Sequence, residues 1–105
     1  MSWVYLFVAS IFEMGWPIGI KLAQSPEMRI IGLLVAIIFM ALSGYFLFLA
    51  QKNISIGVAY AIWTSIGMVG TFLVGVFAFH DAISALKCLG IFLILAGVII
   101  LKLCN

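Results

Sequence analysis

Four apolar runs, each long enough to cross a bilayer, govern what this chain can fold into. The first extends from Trp3 to Ile20, the second from Ile30 to Ala50, the third from Ile54 to Phe79 and the fourth from Ile83 to Leu103. A spanning helix needs roughly 17–25 residues. The shortest run, with 18 residues, reaches about 27 Å as a helix. The runs are too long for strands and lack the alternation of a membrane barrel. The reading is therefore an all-α integral membrane protein of four transmembrane helices, over 3–20, 30–50, 54–79 and 83–103, in one domain spanning 1–105.

Composition agrees with that solvent. Hydrophobic residues make up 68% of the 105 residues and charged ones 8%, against roughly 45–50% and about 25% in soluble domains. A soluble domain this short could not bury so much apolar surface. The first run has no basic residue ahead of it, carries Glu13 and lacks a small-residue cleavage site. It is read as a span rather than a cleaved signal.

The polar breaks are short, and Pro26 stands where a helix should start. Successive helices are expected to be antiparallel and in contact, with both termini on one side. Lys52 and Lys102 then face Lys21, Arg29 and Lys87 across the membrane. A bias of one charge does not fix orientation, so copies are expected to insert both ways. A reporter fused to the C-terminus should be found on both faces of the membrane; signal from one face only would refute this.

The sparse basic residues form no patch, so nucleic acid is not an expected partner. Cys88 and Cys104 have no metal-binding spacing and are read as small apolar fillers. His80 and Asp81 read as a solvated helix end. With a single histidine, no hydrolytic triad or zinc constellation can be assembled. No enzyme activity and no cofactor are expected.

Glu13 is the sharp feature. It lies in the middle of the first run, where a carboxyl costs roughly 2.5–3.5 kcal/mol on insertion scales. Packing glue between helices is the bland explanation. Intramembrane carboxyls more often mark ion or proton pathways. A carboxyl there can hold a proton or, once ionised, a cation, but holds both poorly at once. Exclusive binding of that kind is the core of a proton-coupled exchanger.

Trp16 lies three positions after Glu13, on the same helix face. Tyr60 and Trp63 are likewise three apart. Aromatic faces attract cations, yet these residues could equally be ordinary core aromatics; Trp3 and Tyr5, at a run's end, read as interfacial. Ser43, at mid-depth, can bond to Glu13 or to its own helix backbone. Pro17 removes the backbone donor for Glu13's carbonyl, which predicts a bend beside the site. Gly67 and the other third-run glycines permit close contact or bending. Gly90 and Gly97 share one stripe of a fourth helix that reads as an assembly element. One thin bundle offers little enclosed space. Two antiparallel copies would join two Glu13 carboxyls as a coupled pair, in an inverted repeat suited to alternating access.

These features resemble the small multidrug resistance family of proton-coupled cation exporters. Length, helix count, Glu13 and the run Gly57-Val58-Ala59-Tyr60-Ala61-Ile62-Trp63-Thr64 carry the resemblance over the whole chain. It implies an antiparallel homodimer of eight helices in the cell's inner membrane. Both Glu13 residues would line one site with Tyr60 and Trp63, and Gly90 and Gly97 would belong to the dimer-forming helix. Ile11-Phe12-Glu13-x-x-Trp16, followed by Lys21, resembles the guanidinium-exporter branch. There the matching Trp16 and Ser43 help form the hydrogen-bond network around the glutamates. Three positions depart from the family's pattern: Ser65 replaces the first glycine of a Gly-x-Gly completed by Gly67, Pro17 is atypical of the branch, and His80-Asp81 alters a loop.

The expected function is proton-coupled export of a small organic cation, guanidinium-type first. Export of bulky quaternary ammonium or polyaromatic cations is the alternative. A membrane subunit without transport of its own, or one that needs an unequal second chain, is the other.

Overall fold

A short buried face and a long greasy exterior shape the first three spans of this protein, while the fourth has no buried residue. In the computed structural model, which describes residues 1–104, the chain forms α1 (Ser2–Glu13), α2 (Gly15–Leu22), α3 (Arg29–Ala50), α4 (Ile56–Ala78) and α5 (Ala85–Cys104). A single 3-10 turn, Pro26–Met28, leads into α3 with proline at its start. No strand is present among the described residues. The helices group into four candidate spans, Ser2–Leu22, Pro26–Ala50, Ile56–Ala78 and Ala85–Cys104. The first span comprises α1 and α2, which meet at Met14.

Small residues make the interhelix contacts. Ala9 and Ser10 of α1, Gly32, Ala36 and Ser43 of α3, and Ala59 and Ser65 of α4 are buried. Large side chains such as Ile30, Phe48, Phe77 and Leu93 point outward. That inversion suits a lipid solvent, in which tight backbone approach rather than apolar burial drives helix association. Gly19 and Gly32 set the closest approach. A Cβ on Gly32 would lie 2.5 Å from Gly19's carbonyl oxygen, so α2 and α3 touch backbone to backbone. Farther along, Phe12 packs between Phe39 and Phe46, at centroid distances of 5.7 and 5.8 Å.

The order in space differs from the order in sequence. The first span packs along both α3 and α4, while α3 and α4 barely meet. The short connection over 51–55 does join α3 to α4, but α1 lies between them. The reason is side-chain size: Ala9 and Ser10 of α1 let it settle between the other two. Tyr5, near the start of α1, packs half-buried against Phe46.

The fourth span is peripheral. Helix α5 rests on α4 and has no buried residue. Ser84 caps it by accepting a hydrogen bond from the Lys87 backbone N–H at 3.2 Å. Lys102 lies over the Trp3 ring at 5.3 Å, which brings the end of α5 to the start of α1. Cys88 and Cys104 are free and exposed on α5 rather than filling the bundle. Helix α4 stops where His80 adopts a left-handed φ of 60°, and Gly75's carbonyl accepts from the N–H groups of both Phe79 and Asp81. The Cα framework measures 45 × 34 × 16 Å. Between Cα atoms, two helices packed at 8–10 Å span roughly 13–15 Å, so the thin dimension corresponds to about two helices.

Candidate functional site

Local backbone chemistry puts Glu13 at a discontinuity. It is the last residue of α1. Met14 closes the turn with a three-residue bond, its N–H donating to Ile11's carbonyl at 3.3 Å. Pro17 has no N–H to return to Glu13's carbonyl, so the helix cannot continue its ladder through this point. Met14 stays right-handed, with φ −66° and ψ −27°, so α1 passes into α2 through a single right-handed turn residue.

Two indole donors organise the polar groups. Trp16 donates from Nε1 to Glu13 Oε1 at 2.8 Å. Trp63 donates from Nε1 to Ser43 Oγ at 2.7 Å. Ser43, only 1% exposed, donates in turn to Ala9's carbonyl at 2.8 Å. Neither sequence-level option for Ser43 holds within the chain, because its hydroxyl reaches across to α1 rather than to Glu13 or its own helix. It holds the Trp63 ring in a fixed orientation. Tyr60 stacks at a tilt on Trp63, with centroids 5.5 Å apart, and is more than half exposed.

These residues converge on an open cleft of about 310 Å³ lined by Glu13, Trp16, Met40, Gly44, Tyr60 and Trp63. Glu13 is the one charged group in that lining. Its Oε1 accepts from Trp16 and its Oε2 is available, so a cation with two parallel donors can still pair with the carboxylate. Ser43 lies behind the cleft wall, one hydrogen bond away. Met40 was not singled out from the sequence. Its position three residues before Ser43 and four before Gly44, on one face of α3, was the usable signal.

Gly67 takes a place that flexibility alone does not describe. Helix α4 runs unbroken through it. A Cβ there would lie 2.5 Å from Glu13 Cγ, so the missing side chain is what gives Glu13 room. Ser65, read from the sequence as a departure from the resembled family's pattern, is buried and donates to Ala61's carbonyl at 2.5 Å. Its hydroxyl is thus absorbed by its own helix. Gly90 and Gly97 lie away from the cleft on α5, and a Cβ at either would meet nothing within 4 Å.

The four candidate spans carry one carboxyl and three aromatics on an open cleft, the parts of a membrane site suited to a cation. The family described as Small Multidrug Resistance protein matches residues 1–94. The chain belongs to that family, as a multi-pass inner-membrane protein. It is 37% identical to the guanidinium exporter of Yersinia pestis over 105 residues, all of both chains. It is 37% identical to the guanidinium exporter of Salmonella typhi over 103 residues, covering 98% of this chain and 97% of that one. It is also 39% identical over 103 residues to an uncharacterized membrane protein of Bacillus subtilis, YvaE, covering 98% and 86%.

Proposed function

We propose that this protein is a proton-coupled antiporter that exports small organic cations, guanidinium-type compounds first. The observation that carries the reading is the Trp16-anchored carboxyl of Glu13 in an aromatic cleft with no basic residue in its lining. Full-length similarity to guanidinium exporters supports the substrate class. Guanidinium is flat and offers paired N–H donors, which suits a carboxylate flanked by aromatic faces. Glu13 binds either the proton or the cation. Each replaces the other, so the two fluxes run in opposite directions.

The working unit is an antiparallel homodimer. One chain is a slab with an open cleft, and a second copy closes it and brings in a second Glu13. Helix α5, with its unfilled Gly90–Gly97 stripe and no buried residue, supplies the contact between copies. Near-equal charge on the two sides permits both orientations.

The test is uptake of labelled guanidinium into liposomes holding the purified protein, driven by a pH gradient. Accumulation that collapses with the gradient is expected. Tight binding of a polyaromatic cation without guanidinium transport would replace this reading with multidrug export. Absence of any transport would favour a non-transporting or heteromeric subunit.

Ser43→Ala is a sharper check of the cleft wall. It removes the acceptor that orients Trp63, leaving a half-buried indole N–H unpaired. Cation affinity should fall by about tenfold, the scale of one hydrogen bond. Calorimetric titration of the purified protein reads this directly; an unchanged dissociation constant would remove Ser43 from the site.

A further inference from the structure

Helix α5 leaves a groove beside α1. It packs on α4 and not along α1, and it reaches α1 at its end, where the Lys102 ammonium stands 5.3 Å from the centre of the Trp3 ring. Below that contact α1, α4 and α5 border an open groove of about 260 Å³. Leu6 of α1 and Ile62 of α4, 1% and 6% exposed, form its packed floor. Phe7 and Ile99, each more than half exposed, stand on its walls. Trp3 and Lys102 mark its mouth, and Lys102 is the one charged residue in the lining.

Charge at this end of the bundle is one-sided. Lys102 stands over Trp3 and Lys52 over Phe48, at 5.3 and 5.5 Å. Glu27 and Asp81 both lie in connections at the opposite end. The first turn of α1 carries no acidic residue. A lysine whose stem follows apolar surface, beside a tryptophan near a span's end, sits at the depth of lipid headgroups.

A groove that is apolar along its length and cationic at its mouth matches an anionic phospholipid. A second copy of the chain has its own contact surface elsewhere on α5. Ile99 and Lys102 follow Gly97 by two and five residues, about 200° and 140° round a helix. The groove and the Gly90–Gly97 stripe therefore occupy different sides of that helix.

We propose that the groove between α1, α4 and α5 holds an anionic phospholipid, with one acyl chain along Leu6 and Ile62 and the phosphate paired with Lys102. The lipid fills the gap that α5 leaves beside α1 and ties this peripheral helix to the bundle. In an antiparallel pair the two grooves open to opposite leaflets. The site does not depend on which cation the protein carries.

Native mass spectrometry of the full chain tests this. The protein is released from micelles holding equal amounts of phosphatidylglycerol and phosphatidylcholine with the same oleoyl chains. Each wild-type chain should retain one lipid, with phosphatidylglycerol favoured about fivefold, the scale of one lysine at an anionic surface. Lys102→Gln should bring that ratio to about one, and Lys102→Arg should keep it. Lys102 is exposed, so neither change puts folding at risk. Ile99→Trp fills the groove from an exposed position and should remove the retained lipid of either kind. Equal retention of the two lipids by wild type, or a preference that survives Lys102→Gln, would overturn the proposal. So would a lipid still held by Ile99→Trp. A wild-type dimer free of lipid that comes apart in Ile99→Trp would assign the groove to a second copy and overturn it too. Guanidinium transport is not read in this assay, so the exchanger reading stands or falls separately.

Discussion

Replacing Glu13 with glutamine should lower pH-driven cation uptake at least a hundredfold while leaving the fold intact. Glutamine keeps the shape of the side chain and an oxygen that can accept the Trp16 indole bond, which is 2.8 Å long in the structure. What it loses is the charge and the titratable proton. At 4 Å and an effective dielectric near 20, a unit charge pair is worth about 4 kcal/mol, roughly a thousandfold in affinity. The retained indole bond is worth about 1 kcal/mol, so charge decides the outcome. The measurement is uptake of labelled guanidinium in liposomes, beside a circular-dichroism melt to confirm folding. Uptake at the wild-type rate would reject the proposed role of Glu13.

The second large effect is on stability and lies far from the cleft's chemistry. Gly32→Ala should destabilise the protein by about 2–3 kcal/mol, through overpacking at a point that cannot yield. The new methyl would sit 2.5 Å from Gly19's carbonyl oxygen and 2.6 Å from Ala23's nitrogen. Both are backbone atoms, so no side chain can rotate away. Gly57→Ala is the matched control. A Cβ there meets nothing within 4 Å, and alanine favours a helix over glycine by about 0.5–1 kcal/mol. Unfolding midpoints in mixed micelles should drop for the first substitution and hold or rise for the second. Equal midpoints would mean that α2 and α3 do not meet through these glycines.

The contrast between Gly32 and Gly57 shows what a linear reading misses. Both are glycines within apolar helices, and nothing local separates them. Only the path of the first span between α3 and α4 makes one a backbone contact and leaves the other open. Gly67 is similar. A glycine at that point suggests bending, but its place opposite Glu13 shows that room for the carboxyl is at stake.

The sequence by itself determined the solvent and the number of spans. Apolar runs of these lengths with so few charges have no other stable home than a bilayer, and backbone hydrogen bonding there demands helices. It also marked Glu13, because an acid at mid-span is costly enough to stand out alone. Tertiary structure decided what surrounds that acid. The order of helices in space, the bridge from Ser43 to Ala9 and Trp63, and the exposure of α5 depend on residues 20 to 34 positions or more apart meeting in space. Side-chain size and backbone approach fix those meetings, and neither leaves a periodic trace along the chain.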